Sequence, residues 1–81
     1  MRDRFFATEI IGLEARSAEG KRLGNVDDIV VDTQSGEMRF VLLKDCSEIC
    51  GRYRTDPDGR KVVGFRTIDI ADGAVILSLS P

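Results

Sequence analysis

Apolar residues recur along this chain in short runs of period two, and glycine-bearing segments separate the runs. Leu13-Glu14-Ala15-Arg16-Ser17 alternates apolar and polar positions as a half-buried strand does. Ala18-Glu19-Gly20-Lys21 then supplies a turn, with Gly20 free to take the positive φ of a tight hairpin. From Leu23 to Asp32 the spacing slips: Val26 and Ile29 are three apart, Ile29 and Val31 two apart. Such a slip predicts a β-bulge near Asp27-Asp28, whose bend helps a small sheet curl. Gly36 lies in the next turn, Thr33 to Glu37, which leads into Met38-Arg39-Phe40-Val41-Leu42-Leu43-Lys44. Asp56-Pro57-Asp58-Gly59 reads as a hairpin turn between Arg52–Thr55 and Arg60–Val63, with Pro57 presetting φ and Gly59 accepting a left-handed conformation. Ile68–Ile70, the turn Ala71-Asp72-Gly73 and the strand Ala74–Leu79 complete the pattern. The helical candidate is Ala7–Gly12, where Thr8 could cap one turn and Gly12 end it. The segment Gly20 to Gly24 is assigned to turn chemistry. With about six strands, the fold class expected is all-β: a small, partly open β-barrel with a short N-terminal helical turn.

The chain has 81 residues, which predicts one domain over 1–81. A domain this small has a thin core, and assembly is one remedy. Its 42% hydrophobic and 32% charged residues fit a folded globular protein. The longest apolar run, Phe40-Val41-Leu42-Leu43, has the length of a strand and falls far short of a membrane span. Thr8 and Glu9 interrupt the apolar stretch that a signal peptide needs after Met1–Phe6. The expectation is therefore a cytoplasmic protein with no direct membrane insertion.

Charge and chemistry narrow the function. A net charge of -2 weighs against polyanionic partners. Arg52, Arg54, Arg60, Lys61 and Arg66 nevertheless crowd one region, a basic patch that defines an RNA- or ribosome-binding alternative, although exposed strands usually carry such charges simply for solubility and edge protection. Histidine is absent, so no Ser/His or Cys/His pair exists. Gly20-Lys21-Arg22-Leu23-Gly24 lacks the spacing of a phosphate-binding loop. Asp27, Asp28 and Asp32 lack the pattern of a calcium loop and read as solvated strand and turn positions. Cys46 and Cys50 leave three readings open: small half-buried thiols, a disulfide within the loop or across a dimer, or two ligands of a metal shared with a second subunit. These observations lead us to expect a protein without catalytic machinery and without a cofactor.

The strand Met38 to Lys44 carries the functional expectation. Met38, Phe40 and Leu42 fall on one face and Val41 and Leu43 on the other, so both faces are apolar, whereas a small barrel has only one inside. The outer patch is assigned to Val41 and Leu43, extended by Val30, with Phe5 and Phe6 nearby in the scheme. Either the N-terminal segment folds over that patch or another chain covers it. The second alternative predicts a scaffold that pairs through the patch and presents loops to a partner.

The runs Ile11–Ser17, Glu19–Asp32 and Ser35–Met38 contain a strand, a glycine turn, Leu23 before Gly24, Val26 two positions before Asp28, an apolar strand ending in Asp32, and the Gly36 turn. This pattern resembles the PRC-barrel family over Gly12 to Leu43, and more loosely over Ile68 to Leu79. The segment Cys46 to Val63 departs from it. The resemblance implies a non-catalytic β-barrel like those of the photosynthetic reaction-centre H subunit, a ribosome-maturation factor and stand-alone archaeal proteins. The chain is most similar to the stand-alone group. That likeness implies pairing with itself or a paralogue, and for some members a role in cell division through a SepF-type anchor.

Overall fold

The computed structural model describes residues 7–31 and 38–79. The elements follow in the order α1 (Ala7–Ile10), β1 (Glu14–Ser17), β2 (Arg22–Val31), β3 (Met38–Lys44), the 3-10 helix η1 (Glu48–Arg52), β4 (Lys61–Ala71) and β5 (Ala74–Leu79). The all-β class and the short N-terminal helix match the sequence pattern, with five strands where that pattern suggested about six. Arg52–Thr55 accounts for the difference. It lies in η1 and the following loop, joined to the sheet by the isolated bridge between Thr55 and Lys61. The runs Arg60–Val63 and Ile68–Ile70, in turn, belong to the single long strand β4.

Two long strands close the sheet. β2 pairs antiparallel with β1 through Arg22 to Asn25 and with β3 through Asn25 to Val31. β4 pairs antiparallel with β3 through Lys61 to Gly64 and with β5 through Phe65 to Ala71. Each therefore serves two neighbours in succession, and a strand must bend to do so. In β2 the register shifts between Val26 and Asp28, the bulge that the hydrophobic spacing predicts, and β4 shifts between Phe65 and Thr67. A parallel pairing of β1 with β5, from Glu14 opposite Ala74 to Ser17 opposite Leu77, completes the cycle.

The interior is lined by Ala15, Leu23, Val26, Val41, Leu43, Val63, Val75 and Leu77 from the strands, with Ile10 from α1 and Cys50 from η1. Turn chemistry fixes the hairpins. Asp72 and Gly73 have φ of 53° and 75° in a two-residue loop between the paired Ala71 and Ala74, the left-handed pair that the right-handed strand twist favours. Gly24 corrects the sequence reading: it is a buried position of β2 rather than part of a turn, and its lack of a side chain lets the Lys44–Cys46 backbone approach. Gly12, Gly20 and Gly59 do stand at positive φ in turns, and Gly36 lies outside the described residues.

Candidate protein-interaction surface

The register of β2, β3 and β4 decides which apolar residues meet water. Ile29 packs against the core and stands opposite Val41, while Val30 stands opposite Phe40. Val41 and Leu43 consequently point inward and are both 0% exposed. Their assignment to an outer patch is thus corrected. β3 is apolar on both faces and carries no phase of its own, so the pairing with β2 beyond its bulge sets the phase. Inward placement is worth about 1.5–3 kcal/mol for each such side chain.

The outer face holds a different apolar set. One cross-strand row runs Asp28, Leu42, Val62, and the next runs Val30, Phe40, Gly64. Val30 is 41% and Phe40 40% exposed, while Leu42, at 7%, is covered. Gly64 offers the Phe40 ring no side chain to lean on from β4, which helps explain why a phenylalanine stays this open. Val30 is therefore an outer residue as the sequence pattern proposes. Phe40, which that pattern left off the outer patch, joins it. Phe5 and Phe6 lie outside the described residues. Asp28, exposed, stands at one corner of the face opposite Leu42, and Arg66, also exposed, lies two residues past Gly64, beyond the last β3–β4 pair. Phe65 packs inward, and Arg66 is the extra residue of the β4 register shift, where the alternation of sides is interrupted.

The five basic residues do not form one patch. Arg60 is enclosed by carboxylates: its guanidinium meets Asp27 at 3.0 Å, Asp56 at 2.9 Å and Asp58 at 3.3 Å. Asp56 also accepts the backbone N–H groups of Asp58 at 3.0 Å and Arg60 at 2.8 Å, which ties the hairpin turn together. The hydrogen bond from Arg60 holds the Asp27 carboxyl below the usual carboxylate range against the opposing effect of burial, with Lys44 assisting. For Asp56 burial pulls the other way, and the N–H and guanidinium groups of Arg60 outweigh it, so its carboxyl is also lowered. Lys61 Nζ donates to the Tyr53 carbonyl at 3.1 Å. Arg52 lies over the Tyr53 ring, 4.9 Å from its centroid, and donates to the Tyr53 hydroxyl at 2.8 Å. Arg54 is exposed on the loop before the hairpin, and Arg66 lies apart on β4. Sequence reasoning missed the Asp27–Arg60 pair because 33 positions separate the partners. The only local hint was the bulge, which turns Asp27 out of the β2–β3 ladder.

A cleft of about 430 Å³ lies beside the β4–β5 turn, lined in part by Glu14, Arg16 and Asp72. Its carboxylate Glu14 is already held by Arg16 at 3.1 Å and Arg22 at 3.4 Å, an arrangement suited to fixing β1. Among the described residues no group of three or more His, Cys, Asp or Glu side chains is placed to hold a metal ion, and no helix is long and apolar enough to cross a membrane.

A five-stranded sheet closed on itself, with an open apolar face on β2, β3 and β4, defines a small all-β module of the barrel-like kind. Residues 2–80 match the family model of the PRC-barrel domain, and the chain belongs to that family. No individually curated protein matches it.

Proposed function

We propose that this protein is a non-catalytic protein-interaction module that pairs with a second copy, or a close paralogue, through the outer face of β2, β3 and β4. The observation that carries the proposal is the open cross-strand pair Val30 and Phe40, flanked by Leu42 and Val62. A second copy is the occupant that this surface fits by its own symmetry: a two-fold axis lying in the interface and crossing Phe40 sets Phe40 against its own equivalent, the self-complementarity that a two-fold contact requires. The aromatic centre and charged rim are also how specific interfaces are usually composed. The RNA-binding alternative is weaker because three carboxylates already match the charge of Arg60.

On the likeness to stand-alone archaeal members, the further partner is a SepF-type cell-division anchor, docked by loops that the pairing leaves free. Crosslinked capture from the native cell should then recover division proteins, and recovery of ribosomal proteins alone would favour the RNA-linked reading. Sedimentation at high micromolar concentration tests the pairing itself. The wild type should sediment as a dimer, and Phe40→Lys as a folded monomer with unchanged circular dichroism. A monomeric wild type, or a Phe40→Lys dimer, would overturn the proposal.

A further inference from the structure

Cys46 and Cys50 take no part in that face, yet the fold brings them together with some care. Cys46 follows the left-handed Asp45, whose φ of 51° turns the chain away from β3. Its side chain fits the notch left by Gly24, where an added Cβ would lie 3.2 Å from its Sγ. Cys46 Sγ donates to the Leu43 carbonyl at 3.2 Å, and Cys50 Sγ to the Leu23 carbonyl at 3.7 Å. Between them, Ser47 fastens the segment to the same stretch of β2. Its N–H donates to the Leu23 carbonyl at 2.9 Å and its hydroxyl to the Arg22 carbonyl at 2.7 Å. Both sulfurs thus lie against the same Leu23–Gly24 stretch of β2.

The two thiols are unequal. Cys46 is half-buried and reachable from solvent, whereas Cys50 is 0% exposed. Burial pushes both thiols up, and cations work against that: Lys61 of β4 and Arg22 of β2 at Cys46, Lys61 and Arg52 of η1 at Cys50. Reagents in solution can reach Cys46 but not Cys50, the order in which an attacking and a resolving cysteine must be placed, and because burial holds both thiols above their ordinary range the exchange should quicken as pH rises.

We propose that Cys46 and Cys50 form an intrachain dithiol–disulfide site whose co-reactant is a small-molecule disulfide, with Cys46 attacking and Cys50 resolving. The Cys46 thiolate attacks one sulfur of the reagent. The reagent's S–S bond breaks, one small thiol leaves and takes up a proton, and a mixed disulfide remains on Cys46. Cys50 then loses its proton to solvent and attacks Cys46 Sγ, expelling the second small thiol. Two protein thiols are thereby oxidised and one small disulfide is reduced to two thiols. The product exchanges the sulfur hydrogen bonds to Leu43 and Leu23 for a covalent staple that pins η1 to the exit of β3.

Full-length reduced protein treated with graded oxidised glutathione, quenched in acid and weighed intact, tests this. The expected product is a monomeric species lighter by two hydrogens, reached through a transient single glutathione adduct and reversed by reductant. Cys50→Ala, which keeps the buried site small and apolar, should accumulate the single adduct on Cys46. Cys46→Ser should stay unmodified until denaturant is added. A wild type carrying two adducts, a dimer linked through Cys46, or no oxidation in the folded state would overturn the proposal. If Cys50→Ala fails to fold, the wild-type time course still decides: loss of two hydrogens with a preceding single adduct supports the site, and its absence refutes it.

Discussion

Gly24→Ala is the sharpest probe of how closely β2 and the end of β3 approach. A Cβ at this position would stand 2.9 Å from the Lys44 carbonyl oxygen, 3.2 Å from Cys46 Sγ and 3.3 Å from Cys46 Cα. The nearest obstacle is backbone held in the sheet, so relief requires a shift of the strand exit itself. Forcing one carbon into a packed site costs about 1–3 kcal/mol. Removing a glycine from the unfolded chain offsets about 0.4–1 kcal/mol of that. Taking the middle of both ranges leaves a net loss of about 1.3 kcal/mol, and at about 4–8 °C per kcal/mol for a domain of this size the thermal midpoint should fall by roughly 5–10 °C. Gly51→Ala is the matched control, because nothing lies within 4 Å of its added Cβ and its φ is not positive. Thermal melts followed by circular dichroism, repeated in urea, compare the two. Equal midpoints for Gly24→Ala and Gly51→Ala would show that the close approach carries no energetic weight and that the reasoning is wrong.

Three other outcomes follow from the same structure. Val41→Lys should leave the chain unfolded, since an unpartnered charge at a 0% exposed position costs about 4–5 kcal/mol or more against a total of about 4–12 kcal/mol, whereas Val30→Lys, compared at dilutions where both chains are monomeric, should shift stability by only about 0.5 kcal/mol; a folded Val41→Lys by circular dichroism would contradict the register. Because Asp27 and Asp56 are lowered in the folded state, their stabilisation is complete above the unfolded aspartate value of about 3.9 and is lost as pH falls through the lower folded values. Urea midpoints measured down the acid range should therefore fall less steeply in Arg60→Met than in the wild type, and parallel curves would remove Arg60 as the cause. Finally, the alkylation rate of Cys46 in native protein should reach half its limiting value at a higher pH than the roughly 8.5 of an ordinary thiol, because burial outweighs Lys61 and Arg22; a midpoint at or below that pH would show the cations prevailing.

Local rules in the sequence determined the elements. Alternation placed β1, β-branched and apolar composition placed β5, the three-residue gap from Val26 to Ile29 located the bulge, and Asp72-Gly73 and Asp56–Gly59 marked hairpin turns whose left-handed residues the structure confirms. The family pattern was legible for the same reason, since it rests on short-range features within Gly12 to Leu43. Tertiary structure alone decided the rest. A strand apolar on both faces cannot announce its inward side, so Val41 and Leu43 exchanged places with Phe40 once pairing with β2 imposed a register. Arg60 reads as a surface cation until the fold sets Asp27 beside it, and Gly24 reads as a turn until the Lys44–Cys46 backbone closes over it. Each of these depends on residues distant in sequence meeting across the sheet, and local propensity carries no information about which strands become neighbours.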